Sequence, residues 1–307
     1  MFDLHVHTHY SDGLATPEAL VDAAIEAGVN ILAVTDHDTV AAWPALERAA
    51  AGTSLRLIPG VEINTVWQPL PDGPRWEVHI LGYGIQAEHP RLHHLLNQHQ
   101  QARHTHFEQL ILWLNQTHGL SLCHQELLAR LPQSGSPGRP HVARALIELG
   151  LVRHMGEAFQ RYLSRSKHPG LPQRHSETPQ AAVQAITESG GLAVIAHPGE
   201  QLEVLSPLIE ALIPLGLQGL EVFHKSHPPR QEETLCQLAR QWGLLVTGGT
   251  DFHGEAQHYA SRRCRLHLPD DPLQPFYQQL TKRGLLKNLG PEPQAFQQPQ
   301  AFAGCFG

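Results

Sequence analysis

Nine side chains able to hold a cation, His5, His7, Asp12, His37, Glu62, His79, His197, Asp251 and His253, lie at or just beyond the carboxyl ends of apolar, strand-like runs scattered along the chain. In the first run, Asp3-Leu4-His5-Val6-His7, alternation along an extended segment places His5 and His7 on one face, where two imidazoles can grip one ion. Taken alone, a His-x-His pair is equally compatible with a strand carrying two satisfied polar groups. The full set says more, because ending so many apolar segments in charged or imidazole groups is a costly way to build a core; buried polar groups need partners. Brought together at the carboxyl face of a barrel, where such folds carry their active sites, the same groups make a polynuclear metal centre.

Seven runs supply the strands that would position them: residues 3–7, 31–38, 57–64, 78–84, 192–198, 220–224 and 244–253. After the first, Thr16 can cap a helix with Pro17 at its first position and Leu20, Val21, Ala24 and Ile25 on one face, ended by Gly28. Strand and helix alternate again through 41–51 and from 179 to 240, the pattern of a parallel α/β fold, and seven strands favour a barrel over an open sheet. Between about 89 and 174 the alternation lapses into helical pieces separated by 132–140 and 164–172, which reads as an inserted subdomain. The expected division is a barrel of residues 1–88 and 175–290, a helical cap of 89–174, and a flexible Gln-, Pro-, Ala- and Gly-rich tail, 291–307, with no assigned function.

Composition narrows the function classes. A chain of 307 residues that is 41% hydrophobic can bury a large core, which argues against a disordered scaffold. Asp3, His5 and His7 occupy the place where a secretory leader would be basic and then apolar, and no apolar run is long enough to span a bilayer; a cytoplasmic enzyme without a membrane partner is expected. Cys123, Cys236, Cys264 and Cys305 form no C-x-x-C pair, so free thiols are expected rather than a thiolate zinc site or a disulfide framework. A net charge of -7 disfavours binding to long duplex nucleic acid but leaves room for a small anionic substrate. Between Arg139 and Arg174, seven Lys or Arg face only Glu148 and Glu157. That local excess suits a basic cap over an anion site, although solvated helices would also account for it. Of the 23 histidines, six are candidate ligands; His89, His93, His94, His99, His104 and His106 fall in one helix with no carboxylate to complete a metal set, and read as solvated.

The motifs DLHVHTHYSDG, TDHD, PGVEI with EVHILGY, IAHP and GGTDFHG, in this order, resemble those of the PHP family, named for polymerase and histidinol phosphatase. The resemblance implies an α/β fold, a distorted seven-stranded PHP-type barrel with an inserted helical cap, holding two or three divalent ions. By the same resemblance His5, His7, Glu62 and Asp251 hold one ion, Glu62, His79 and His197 its neighbour with Glu62 as the bridge, and Asp12, His37 and His253 a third; many relatives have histidine where this chain has Asp12. Three carboxylates against three divalent ions leave about +3 for a phosphate and a hydroxide to neutralise. A mixed imidazole and carboxylate set suits manganese, favoured here, and also iron or zinc.

Paired ions acidify water and clamp an in-line displacement at phosphorus, so hydrolysis of a phosphate ester is the expected reaction, with Glu62 and Asp251 central to it. The segments SGSPGRPHVARALIELG, EAFQRYLSRSKHPG and GGLAVIAHPG resemble the subgroup that hydrolyses 3',5'-nucleoside bisphosphates and trims short RNA from the 5' end. This implies release of the 3'-phosphate of adenosine 3',5'-bisphosphate, giving AMP, with Arg139, His141 and Lys167 securing the other phosphate. Arg139 and His141 could instead simply start a helix, and Lys167 could be solvated. His224 and His227 follow the sixth strand, and either could protonate the leaving oxygen or equally take a surface or supporting role, while Asp38 and Thr35 would orient His37 by hydrogen bonds. The alternatives are a histidinol-phosphate-type small-molecule phosphatase and a non-catalytic, metal-stabilised PHP module.

Overall fold

The computed structural model describes residues 1–259 and 270–287. Seven strands form one sheet in chain order: β1 (Phe2–Val6), β2 (Ile31–Val34), β3 (Arg56–Trp67), β4 (Trp76–Tyr83), β5 (Leu192–Ile195), β6 (Leu217–Phe223) and β7 (Leu245–Gly248). They correspond to the seven runs read from the sequence. Just past β7 the chain comes back to β1: Phe252 bridges Val6, His7 N donates to Phe252 O at 2.9 Å and Asp251 N donates to His5 O at 2.7 Å. The sheet is thereby curled into a distorted barrel.

The described helices are α1 (Pro17–Glu26), α2 (Trp43–Ala50), α3 (Pro90–His118), α4 (His124–Leu128), α5 (Arg139–Glu148), α6 (Met155–Ala158), α7 (Pro179–Glu188), α8 (Leu202–Leu212), α9 (Pro229–Trp242) and α10 (Asp270–Lys282). The signals that start α1 act as expected: Thr16 Oγ1 accepts from Ala19 N at 3.2 Å, Pro17 takes the first position, and Leu20, Val21 and Ala24 are buried. Among the described residues no helix is long and apolar enough to cross a membrane.

The sheet is not parallel throughout, which corrects the sequence-based expectation. β4 runs antiparallel to both of its neighbours, because only residues 68–75 link it to β3, too few for a crossover helix, and the pair closes as a hairpin. β3, 12 residues long, changes partner along its length: Arg56–Pro59 pair with β2 in parallel, Gly60–Trp67 with β4. Two ligand positions depend on this. Glu62 lies inside β3 but beyond the end of its pairing with β2, and His79, near the amino end of β4, arrives at the rim where the parallel strands finish.

The apolar residues gather into three clusters. The largest lies under the sheet and includes residues of α7, α8, α9 and α10; a second joins β1 and β2 to α1 and α2. The third is confined to residues 107–171, with Phe107, Leu110, Leu114, Val142, Leu146 and Leu163 fully buried in it. We propose on this ground that 89–174 is an inserted cap, with 1–88 and 175–290 as the barrel. The tail 291–307, Cys264 and Cys305 lie outside the described residues; Cys123 and Cys236 are free thiols.

The return of the chain to β1 requires close backbone contact at Gly249, where a Cβ would overlap the backbone N and Cβ of His5. Gly249→Ala must therefore push β1 aside. We expect it to lower unfolding stability by about 1–3 kcal/mol, measured by urea denaturation, with part of the metal-binding capacity lost because His5 moves too.

Candidate metal centre and anion cleft

Glu62 is buried at the middle of the site, and both of its oxygens face imidazoles. Oε1 lies 2.8 Å from His79 Nδ1 and 3.0 Å from His197 Nε2; Oε2 lies 3.1 Å from His5 Nε2, 3.2 Å from His7 Nε2 and 3.1 Å from His37 Nδ1. Asp251 Oδ1 completes one set at 3.5 Å from His5 Nε2 and 3.3 Å from His7 Nε2. Asp12 belongs to another, with Oδ1 3.0 Å from His253 Nε2 and Oδ2 3.8 Å from His37 Nε2. All nine expected ligands therefore meet. The groupings whose donor atoms fall within 4.8 Å of one another overlap: His5, His7 and Asp251; His5, Glu62 and His197; His37, Glu62 and His79; His7, Asp12, His37 and His253. His37, expected only at the third position, thus also faces Glu62.

This donor set fits divalent ions. Bonds of about 2.1 Å to a shared ion put neighbouring ligand atoms roughly 3.0–3.4 Å apart, close to the separations around His5, His7, Glu62 and Asp251. Asp12 Oδ1 and His37 Nδ1 are buried without an aligned hydrogen bond despite their close neighbours, as expected of lone pairs aimed at a common point. Protonation points the same way. Burial acts against charge on His7 and His79, but hydrogen bonds to Asp251 and Glu62 lift His7 to about 9, and the charge of Glu62 lifts His79 to about 10. Burial drives His37 down to about 3. Without ions, then, some imidazoles serve as counter-cations for the carboxylates, a role divalent ions take over while releasing those protons.

Residues not singled out in the sequence hold the ligands in place. Glu221 accepts from His5 Nδ1 at 3.0 Å and from His197 N at 2.8 Å, so His5 Nε2 is turned into the site. His7 Nδ1 lies 3.3 Å from Ser11 Oγ, which donates to Asp36 at 2.6 Å; Asp36 also accepts from Thr8 N and Thr8 Oγ1, ordering the loop that carries Asp12. Asp3 does the same past β7, accepting from Thr250 N at 2.9 Å, Thr250 Oγ1 at 2.7 Å and Tyr259 Oη at 2.6 Å. His253 Nδ1 donates to Asp251 O at 3.0 Å. His197 and Asp251 both have positive φ, +25° and +47°, a strained backbone for non-glycine residues, and both belong to the candidate ligand set.

Asp38 and Thr35 do not orient His37. Thr35 Oγ1 donates to Val6 O, and Asp38, itself at φ +54°, is a buried anchor for cations that come from the helical insertion and its end. Its Oδ2 accepts from Arg103 Nε at 2.6 Å and Arg174 at 3.1 Å, its Oδ1 from His99 Nδ1 and Asn64 N, both at 2.9 Å. Burial raises the Asp38 pKa, but Arg103, His99 and Arg174 outweigh it and hold the carboxyl well below the usual range. His99 is thus a buried structural partner rather than a solvated residue. His106 is buried as well and donates to Pro172 O at 3.1 Å.

Beside Asp12, His37 and His79 opens a cleft whose walls carry Arg75, Arg103, Arg139, Arg165 and Arg174. Arg139 opens α5 and points into this cleft, 3.5 Å from Glu77 and stacked over Phe159 at 5.8 Å. His141 Nδ1 accepts instead from Gly138 N at 3.1 Å, the capping role, and Lys167 is exposed on a turn away from the cleft wall; Arg165, two residues earlier, faces it. Alternation alone could have found Glu77, which shares a face of β4 with His79 just as His5 shares one with His7. A second opening is lined by Glu77, His79, Arg139, His197, His224, Ser226 and Asp251. There His224 Nε2 donates to Asp251 Oδ2 at 3.2 Å, and Lys225, absent from the sequence expectations, lies 2.8 Å from the same oxygen. His227 is held to backbone on both ring nitrogens, by Val222 O at 2.7 Å and Gly199 N at 3.1 Å, and unlike His224 it does not line this opening.

Comparison with known proteins adds independent findings. A family model described as PHP domain matches residues 3–148. The 5'-3' exoribonuclease Rnm of Salmonella typhimurium is 38% identical over 82% of this chain and 85% of its own. The 3',5'-nucleoside bisphosphate phosphatase of Chromobacterium violaceum is 32% identical over 83% and 88%, and the phosphoribosyl 1,2-cyclic phosphate 1,2-diphosphodiesterase of Eggerthella lenta 33% over 82% and 94%. In structure the chain is similar to an amidohydrolase from Chromobacterium violaceum solved with bound sulfate and no metal, with a TM-score of 0.79, 29% identity, and coverage of 92% of this chain and 96% of that one.

Because Glu62 belongs to two of the candidate ligand groups and Asp12 to only one, their variants should differ in stoichiometry. Glu62→Gln is expected to lose at least two ions per chain and Asp12→Asn no more than one, read by elemental analysis after gel filtration. Asp38→Ala leaves Arg103 and Arg174 without their buried counter-charge, and thermal denaturation should show a loss of about 3–5 kcal/mol.

Proposed function

Since this chain belongs to the PHP family, we propose that it is a metal-dependent phosphoesterase that removes the 3'-phosphate of nucleoside 3',5'-bisphosphates and trims short 5'-phosphorylated RNA. The observation that carries this reading is the pairing of two anion sites, the carboxylate and imidazole cluster and, next to it, the arginine cleft. A substrate filling both must bear two phosphates. In a bisphosphate and in an RNA end alike, the same ribose presents a 5'-phosphate to one site and the 3'-oxygen-to-phosphorus bond to the other. The names of the exoribonuclease and bisphosphatase relatives agree with this shared geometry.

In the proposed scheme His5, His7, Glu62 and Asp251, then Glu62, His79 and His197, then Asp12, His37 and His253 hold two or three ions, with manganese favoured. Divalent ions held there supply Lewis acidity, which makes hydroxide available near neutral pH and offsets charge on the phosphoryl oxygens. The chain's own groups do the rest. Arg139, Arg165 and Arg174 bind the 5'-phosphate with charge-assisted hydrogen bonds, replacing the Lys167 of the sequence reading. Asp38 fixes Arg174 so that its remaining donors stay in the cleft. Ser226 N donates to His224 Nδ1 at 3.2 Å, which puts the His224 proton on Nε2, bonded to Asp251 Oδ2 at the edge of the second opening, from where it can pass to the leaving 3'-oxygen.

Purified protein supplied with Mn2+ should release phosphate from adenosine 3',5'-bisphosphate and leave AMP; failure to do so under conditions where another phosphate ester turns over would overturn the substrate assignment. Arg139→Ala and Arg174→Ala should raise KM for the bisphosphate at least roughly tenfold while changing KM for adenosine 3'-monophosphate little. RNA with a 5'-hydroxyl should be a poorer substrate than its 5'-phosphorylated counterpart.

A further inference from the structure

Glu77 is a carboxylate inside an anion-binding site. Its Oε2 lies 3.5 Å from the Arg139 guanidinium and its Oε1 4.0 Å from His79 Nε2, so one oxygen is turned to the arginine cleft and the other to the cluster. It borders both the cleft and the outer opening. The side chain is 42% exposed, so its charge meets whatever occupies the space between them.

Like charges repel, and a negative group here weakens the hold on any phosphate. Neutralising Arg139 would only add to that loss. Such a residue makes chemical sense if the substrate brings a hydrogen-bond donor to the same spot, because an ionised carboxylate accepts and never donates. The reading of the site as a nucleoside 3',5'-bisphosphatase, on which this step rests, fixes what that donor is. With one phosphate at the cluster and one at the arginines, the group spanning them is the ribose, and the hydroxyl next to the reacting 3'-position is the 2'-hydroxyl. No other donor of the sugar is available, since the 3'- and 5'-oxygens are esterified.

We infer that Glu77 selects ribose over deoxyribose by accepting the hydrogen bond of the substrate's 2'-hydroxyl. The geometry of the hairpin keeps it there: Glu77 pairs with Val66 and His79 with Asn64 in the β3–β4 ladder, so both acidic and ligating side chains rise from the same face of a paired strand rather than from a loop. A deoxyribose brings that carboxylate no hydroxyl, and a 2'-phosphate meets it as a second anion.

The test compares kcat/KM for adenosine 3',5'-bisphosphate and its 2'-deoxy analogue, in the wild type and in Glu77→Ala and Glu77→Gln, all loaded with the same metal. The wild type should favour the ribose substrate by roughly tenfold or more, the worth of a hydrogen bond to a charged acceptor. Glu77→Ala should abolish the preference, and Glu77→Gln, which keeps an acceptor oxygen but not the charge, should retain part of it. A role limited to holding Arg139 would change both substrates by the same factor and leave the ratio at its wild-type value, and that result overturns the inference. So does a wild type indifferent to the 2'-position. If neither bisphosphate is hydrolysed while other phosphate esters are, the substrate reading itself has failed and Glu77 loses its assignment with it.

Discussion

A buried carboxylate ringed by five imidazoles is the constraint that organises this protein. Burial pushes the Glu62 pKa up, and the surrounding imidazoles outweigh it and hold the carboxyl well below its usual range. Such an arrangement is expensive to fold unless cations are present, because every group taken out of water must find a partner. The surrounding architecture answers that need in layers. Glu221 holds His5 by its second ring nitrogen and His197 by its backbone, Asp36 and Asp3 order the neighbouring loops through Thr8 and Thr250, and the strained φ of His197 and Asp251 persists within that framework.

The arginine cleft has its own keystone in Asp38. Its four donors come from three places, Asn64 on β3, His99 and Arg103 on α3, and Arg174 at the end of the proposed cap. The metal centre and the phosphate site are therefore not independent features. The Asp36-His37-Asp38 stretch feeds loop order, ligand and anchor into three different networks, and the parallel bridge between His37 and Glu62 fixes that stretch against the central carboxylate. A change in one residue of this triplet should be felt on both sides.

The parts of the site that could be read from the sequence are those whose information is local. Alternation put His5 and His7 on one face, and the apolar runs located all seven strands and the nine side chains that meet at their ends. Strand direction was less legible: whether β4 runs with or against β3 depends on eight linking residues, and the amino-terminal His79 of its run was the clue. What could not be read depends on chain segments meeting across long separations. Asp38 sits beside His37 in sequence, which suggested a hydrogen bond to it, but its partners lie 26 to 136 residues away. Arg165 and Lys167 are two residues apart in a basic stretch, and only the turn between them decides which faces the cleft. His227, attractive as a proton donor beside His224, turned out to be tied to backbone on both nitrogens.

The twofold grip of Asp38 bears on how the molecule works in time. Arg103 lies on the helix by which the chain enters the insertion, and Arg174 on the segment by which it leaves, so a single carboxylate ties down both connections. A lid needs slack in at least one of its straps, and here neither has any without breaking a buried ion cluster. On the proposed reading of 89–174 as a cap, both of its straps are pinned at one point, which makes it a fixed roof over the arginine cleft.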